Sequence, residues 1–545
     1  MKKSDYTLRG WLLSLFVVVG VVALGAIPST ELFGMQFNRV DILSLLRHDA
    51  SADEAVEYTA DIERLEQELA QLAQPEVIDS AVVEPDPIPV RYEWILEPMA
   101  ERIAQRPRSE RVKPNVEQEV IAIEDFDTLV ESRFARFVER LANGEDVRIA
   151  FMGDSFVEGD ILTSDLRAEL QEIFGGRGVG FVACDIPFAT VRHTVKRTST
   201  GWSSYSVMKS KAAPEVLRDK FFVSGYMANG GRGATTKWQS TNAFPTLDSC
   251  SRARVVLLSR DSSRVEVAVN DTLTHEFAIA GDERVREIYV EAPLESLRLK
   301  VLEGSVLCYG ASLEGNGGVV VDNFSVRSNN GHAIFGTGAQ INRQVDEMLG
   351  YDLVVLQYGL NIMQPGQRQF SKYRDQLRDM IAYAERCFPN AAILVLGVSD
   401  RWVKNEESGS YEPIGSVDAM TSYQRAAADS CGVAFWNTSK AMMALGGMPR
   451  FVSNGWAAKD YTHINFRGGS RVAAALAAAI CQPVYELLAE QEAEEARIEA
   501  LRRQEELRRE QYRIDRINTI SAVLDSMGVV ENVVCVLEQT EEGEE

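Results

Sequence analysis

The stretch Val147-Arg148-Ile149-Ala150-Phe151-Met152-Gly153-Asp154-Ser155 decides how this chain is read. Its apolar run has the length of a buried strand. Gly153 permits a tight turn and delivers Ser155 to the mouth of a sheet. A helical pattern follows over 160–174. A serine between a strand's C-terminal end and a helix N-terminus sits where open α/β folds keep their ligand sites. Backbone N–H donors suited to a developing oxyanion are close by.

Two further segments give that serine partners. Leu353-Val354-Val355-Leu356-Gln357-Tyr358 is a second buried strand, running into Gly359-Leu360-Asn361. An asparagine at a strand end can aim its amide N–H at the same oxyanion. Downstream, Asp460-Tyr461-Thr462-His463 supplies a carboxylate and an imidazole three residues apart. Nucleophile, acid and base then occur in the chain order Ser…Asp…His. Alone, Gly-Asp-Ser reads equally well as a surface turn. The joint occurrence separates the readings, since His463 is one of only five histidines in 545 residues.

In order and context these segments resemble the blocks of the SGNH, or GDSL-type, serine hydrolase family. Gly153, Asp154 and Ser155 match the first block, Gly359 and Asn361 the third, Asp460 and His463 the last. The resemblance covers residues 120–190 and 320–485 and implies a flavodoxin-like three-layer α/β hydrolase domain. It implies Ser155 as nucleophile, His463 as base and Asp460 as the acid that orients it. The implied oxyanion hole is the N–H of Ser155, the N–H at Ser328 and the side chain of Asn361, with Asp154 and Gly359 in support. Two positions depart from the pattern. Ile362 stands where the third block ends in aspartate. Ser328, in the loop 322–331, stands where the second block has glycine. A serine supplies the same backbone donor if its dihedrals allow. No cofactor and no metal are implied.

A net charge of −23 argues against nucleic acid as a partner, because no basic footprint offsets it. The seven cysteines include no C-x-x-C pair, so neither zinc nor a dense disulfide framework is indicated. Cys250 and Cys308 read equally as a pair or as free buried thiols. The length exceeds one core and implies several domains.

Residues 1–30 read as a cytoplasmic end and a transmembrane anchor. Met1-Lys2-Lys3 and Arg9 precede a nearly continuous apolar stretch over 11–27. Its seventeen residues would reach about 25 Å, near the minimum for a spanning helix. The flanking positive charge sends the remainder across the membrane, to the periplasm or extracellular space. A cleavable signal peptide is the alternative. Residues 31–114 read as a helical and Pro-rich tether. Ile62, Leu65, Leu69 and Leu72 suit a short coiled coil that would dock an envelope protein partner.

Hydrolase segments are expected over 115–190 and 321–485. Between them, 191–320 alternates in short runs and predicts an inserted β-sandwich. It is similar to carbohydrate-binding-like modules within cell-envelope acetylesterases of the family. Trp202, Tyr205, Tyr226 and Trp238 read either as sugar-stacking residues or as core. Residues 486–545 form a charged helix and an acidic tail.

The resemblance implies a membrane-tethered serine esterase that removes O-acetyl groups from a cell-envelope glycan or polysaccharide. An O-acetyltransferase using the same triad and a weakly active glycan-binding scaffold stay open beside it.

Overall fold

The computed structural model describes Thr30–Leu32, Met35–Phe37 and residues 90–527, except 101, 117, 129–131, 188–191, 248 and 406. The apolar stretch 11–27, the predicted helix over 53–72 and the acidic tail lie outside the described residues. Two compact units divide the chain at residue 84. In the first, β1 (Thr30–Leu32) pairs antiparallel with β2 (Met35–Phe37).

The second unit holds the other described strands and the described helices. Its strands are β3 (Val90–Ile95), β4 (Val147–Gly153), β5 (Gly180–Ala183), β6 (Val195–Ser206), β7 (Tyr226–Ser240), β8 (Cys250–Ser259), β9 (Ser263–Val269), β10 (Leu273–Ile279), β11 (Arg286–Leu294), β12 (Ser296–Glu303) and β13 (Ser305–Glu314). They continue as β14 (Val319–Ser325), β15 (Leu353–Gln357), β16 (Ala392–Leu396), β17 (Trp402–Lys404), β18 (Tyr411–Pro413) and β19 (Ala434–Trp436). The helices are α1 (Ser109–Val112), α2 (Arg133–Ala142), α3 (Thr163–Phe174), α4 (Ala339–Leu349), α5 (Ser371–Cys387), α6 (Val417–Cys431), α7 (Thr438–Ala444), α8 (Gly447–Ser453) and α9 (Phe466–Ser526).

The five-stranded sheet runs β14-β4-β15-β16-β19, and every pair in it is parallel. In chain order that is 2-1-3-4-5, the flavodoxin-like arrangement, with the switch point at β4. Strand alternation divides the side chains between two faces. Ile149 and Phe151 face a core built with α2, α3 and α9, through residues such as Phe137, Leu170 and Leu476. Ala150 and Met152 face the other way, towards α4, α5 and α6, through Val345, Ile381 and Ala427.

Arg148, the one charge within the β4 run, is buried with its partners. Its guanidinium donates to Asp322 (2.8 Å), Glu314 (2.6 Å) and Ser312 (2.8 Å). Asp322 lies on β14, whereas Ser312 and Glu314 lie on β13, so Arg148 ties the parallel sheet to the β domain.

The β domain departs from the expectation in two ways. It is a single connected ten-stranded sheet, not two separate sheets. The long β7 pairs with β6 on one side and with both β12 and β13 on the other. The sheet thereby folds around one core that takes Val267 and Leu299 from one arm and Leu257 and Val290 from the other. Second, the sheet recruits strands from outside 191–320. β5 pairs with β13, and β3, inside the predicted tether, pairs parallel with β11. The β domain thus takes in Val90–Ile95, ahead of residue 115, where the globular part is expected to begin. Trp238 and Tyr226 are buried in the domain, and Trp202 donates its indole N–H to Thr235 O (3.0 Å). Cys250 and Cys308 are not joined to each other by a disulfide.

The closing helix and the charged helix are one element, the 61-residue α9. Among the described residues only this helix contains a stretch apolar and long enough to cross a membrane by composition. That part is the core-facing one: Val472, Leu476, Ile480, Val484 and Leu488 are buried in the hydrolase core. Beyond them the helix is exposed and laced with pairs such as Glu499–Arg503.

Candidate active site

Parallel register assembles the site. Gly153 stands level with Ser325 on β14 and Gln357 on β15, so three strands end abreast and their loops emerge at one edge. Those loops carry Ser155, Ser328 and Asn361.

Gly153 is required for space and not for its dihedrals. A Cβ there would meet Val157 Cγ2 at 2.4 Å and Gln357 Oε1 at 3.1 Å. The carboxylate of Asp154 shapes the turn, with Oδ1 accepting from Phe156 N (2.9 Å). Among the described residues the backbone N–H of Ser155 has no partner, and neither does its hydroxyl. The bond from Ser155 Oγ to His463 is therefore not made in this state. Such bonds are commonly loose before substrate binds. The expected helix start at 160 is replaced by a 3-10 turn over Glu158–Asp160, and α3 begins at Thr163. Gly159 and Asp160 adopt positive φ (64° and 69°), which breaks the helical path. Ser155 is thus set by a turn and does not stand on a helix N-terminus.

Asp160, which the sequence reading missed, is a buried hub beneath the turn. It accepts from Thr163 (2.8 Å), Arg192 (2.7 Å), Arg167 (3.3 Å) and Asn323 (3.2 Å). Burial alone would raise its carboxyl, but Arg167 and Arg192 outweigh this and hold it far below the usual range. Arg192 leads into the β domain. The next residue, His193, packs edge-on against Phe466, the first residue of α9, at 4.4 Å between ring centroids.

Ser328 has φ 60°, the left-handed region that favours glycine, which accounts for the glycine expected there. Its N–H has no partner among the described residues. Gly359 has φ 115°, and a Cβ would press on Gln424 and Val398 at 3.0 Å. Asn361 donates from Nδ2 to Asn329 O at 3.2 Å and lies 3.5 Å from Asp154 Oδ2. Asn329 and Gln424 were also missed. The Asn329-Asn330-Gly331 turn was a legible signal for the first, because Asn329 Oδ1 accepts from Gly331 N (2.8 Å). Gln424, which bridges Tyr358 O and Val398 N (2.8 and 2.9 Å), had none.

Asp460 and His463 meet on one loop. His463 Nδ1 is 2.7 Å from Asp460 Oδ2, while Oδ1 accepts from Thr462 N (2.9 Å) and His463 N (3.1 Å). Burial would raise the Asp460 carboxyl, but the His463 ring and these N–H groups hold it below its ordinary value. Asn465 then caps α9 through Arg467 N (3.0 Å) and Gly468 N (3.3 Å). Gly469 lets the first turn of α9 press on the loop after the nucleophile, because a Cβ would fall 1.7 Å from Ile161 O. That close approach packs the start of α9 against the nucleophile loop, and His463, just ahead of α9, is near enough to Asp154 to influence its carboxyl. Burial pushes Asp154 up to about 7, against the N–H of Phe156 and His463, which both lower it. His463 and Asp460 keep 55% and 47% of their side-chain surface exposed, so water reaches the pair.

Asp400, beyond the end of β16, is buried and accepts from Met448 N at 2.6 Å. Among the described residues no cluster of His, Cys, Asp or Glu is arranged to hold a metal ion.

No protein-family model matches the chain, and no curated protein matches it. Among solved structures, a peptidoglycan O-acetylesterase superposes with a TM-score of 0.54 at 22% identity, covering 68% of this chain and 99% of that one. A lipase/acylhydrolase from Enterococcus faecalis matches at TM-score 0.22 and 15% identity, over 30% of this chain and 76% of its own. A family two carbohydrate esterase from Cellvibrio japonicus matches at TM-score 0.18 and 10% identity, over 45% and 88%. The share covered by the first exceeds that of 115–190 and 321–485 together, so that likeness extends beyond those two segments. The chain thus shares the fold of that solved structure.

Proposed function

We propose that the chain is a serine esterase that removes O-acetyl groups from a cell-envelope glycan or polysaccharide through an acyl-serine intermediate. The observation that supports this reading is the Asp460–His463 hydrogen bond, together with the Ser155 and Ser328 N–H groups, unpartnered among the described residues, and the Asn361 amide. In the proposed reaction His463 takes the Ser155 proton as Oγ attacks the ester carbonyl. Asp460 fixes the imidazole orientation and stabilises the imidazolium. The N–H groups of Ser155 and Ser328 and the amide of Asn361 receive the oxyanion. Collapse breaks the bond to the sugar oxygen, which takes the proton from His463 and leaves as the sugar hydroxyl; water, giving its proton to His463, then attacks the acyl-serine, and free acetate leaves as Ser155 regains its proton.

The exposure of His463 and Asp460 favours hydrolysis over transfer to a second sugar, since transfer requires that water be kept from the acyl-serine. It also suits a polymer, whose acetyl groups must reach the serine from outside. Glycan as substrate is supported by the fold likeness to a peptidoglycan O-acetylesterase. The stretch over 11–27, behind Lys2, Lys3 and Arg9, supports a tether with the catalytic part outside the cytoplasm.

Incubation of the protein with O-acetylated peptidoglycan and with O-acetylated polysaccharide tests the reading. Free acetate is expected from one of them, with none from Ser155→Ala. Acetyl groups recovered on an added sugar acceptor in place of free acetate would overturn hydrolysis in favour of transfer.

A further inference from the structure

A small hairpin outside the catalytic blocks touches both halves of the candidate site. β17 and β18 pair antiparallel, Trp402 opposite Pro413 and Lys404 opposite Tyr411. On one side Arg401 Nη1 donates to Leu360 O (3.2 Å), and Gly366 N donates to Ile414 O (3.0 Å). These bonds fasten the hairpin to the loop that carries Asn361. On the other side Trp402 N donates to Tyr461 O (3.0 Å), and the Tyr411 ring lies on the Tyr461 ring, with centroids 3.9 Å apart and planes 16° from parallel. Tyr461 stands between Asp460 and His463 in the chain.

The backbone of Tyr461 explains why a clamp is needed. Its φ is 56°, a left-handed conformation that a bulky aromatic residue rarely adopts and that must be held by its surroundings. The turn around it closes through Tyr461 N to Ala458 O (3.2 Å) and Ala458 N to His463 O (2.8 Å). If Tyr461 relaxed to negative φ, the carboxylate and imidazole on either side of it would lose their common line.

We propose that Tyr411 is a positioning residue for the Asp460–His463 pair, acting by stacking on Tyr461 and holding its left-handed turn. The proposal rests on the esterase reading for its kinetic effect, but not for its structural one. The hairpin then also explains how the base loop and the Asn361 loop, a hundred residues apart in sequence, keep one geometry.

The test uses the full chain with Tyr411→Ala, Tyr411→Phe, Tyr461→Gly and the Tyr411→Ala/Tyr461→Gly double variant. Glycine accepts the left-handed turn without a clamp, so Tyr461→Gly remains informative if Tyr411→Ala folds poorly. Two signals are read: kcat and KM for para-nitrophenyl acetate, and the ring N–H resonance of His463 after isotopic labelling of the five histidines. Tyr411→Ala is expected to lower kcat about tenfold with KM nearly unchanged, and to shift or broaden that resonance. Tyr411→Phe restores both, because the ring and not the hydroxyl does the stacking. The double variant is expected to be no worse than Tyr411→Ala, as for two residues acting through one contact. Wild-type kcat and resonance in Tyr411→Ala would overturn the proposal, as would failure of phenylalanine to rescue. If the wild type does not hydrolyse the ester, the esterase reading fails, and the His463 resonance alone decides the positioning role.

Discussion

Asn361 donates its side-chain amide to the backbone carbonyl of Asn329 at 3.2 Å, which ties the loop after β15 to the loop after β14. One Nδ2 hydrogen is thereby fixed, and the amide plane with it. The other lies towards Asp154 at 3.5 Å, a weak contact that an oxyanion would replace without disturbing the first. Asn361→Ala is therefore expected to lower kcat by about 10²- to 10³-fold, with KM changed much less. Steady-state kinetics on para-nitrophenyl acetate check it. A loss confined to KM would mean that Asn361 contacts the ground state only.

Ser328 holds the left-handed conformation that glycine adopts without cost. If only its backbone N–H is used, Ser328→Gly should keep activity within about twofold and leave stability within about 1 kcal/mol, since relief of strain and added unfolded-state entropy oppose each other. A large loss of kcat in this variant would assign the work to the Ser328 hydroxyl instead.

Asp154 gives a pH-dependent stability of unusual sign. Burial lifts its carboxyl from 3.8 to about 7, so between those values the folded state binds more protons than the unfolded one. Stability contributed by this group therefore falls as pH rises through that window. Asp154→Asn keeps the acceptor for Phe156 N but cannot ionise. Relative to wild type it should gain about 2–4 kcal/mol between pH 4 and pH 8. Urea denaturation at both pH values measures the difference, and parallel behaviour of the two proteins would contradict the assignment.

Asp160 has the opposite sign. Its carboxyl is held below the unfolded value, so its contribution is present above about pH 4 and fades as pH falls through the lowered folded value. Asp160→Ala strands Arg167 and Arg192 without their shared anion, and Arg167 is 1% exposed. A loss of about 3–5 kcal/mol at neutral pH is expected, read by chemical denaturation. A loss below 1 kcal/mol would show that the arginines find other partners.

Much of the hydrolase half was legible in the sequence, because buried parallel strands leave short apolar runs that end in functional loops. The runs at 147–152, 353–357 and 392–396 are all strands, and their common register brings Ser155, Ser328 and Asn361 to one edge. What was missed has a shared cause. Asp160, Asn329, Gln424 and Tyr411 act through contacts made by distant segments, and single residues in loops or on helix faces carry no period. β3 alternated visibly, half-buried and exposed by turns, but Pro85, Pro87 and Pro89 just before it drew the reading towards a linker. The single folded sheet was illegible because it depends on β7 and β13 each serving two successive neighbours, which strand spacing does not encode.

The central claim is that Ser155 carries the acyl group. Rapid quenching of the protein with para-nitrophenyl acetate, followed by mass spectrometry of its peptides, tests it most directly. An acetyl group on the peptide containing Ser155 is predicted, absent in Ser155→Ala and formed at least a hundredfold more slowly in His463→Ala. Turnover of the ester with no acetylated Ser155, or equal turnover by Ser155→Ala, would contradict the account.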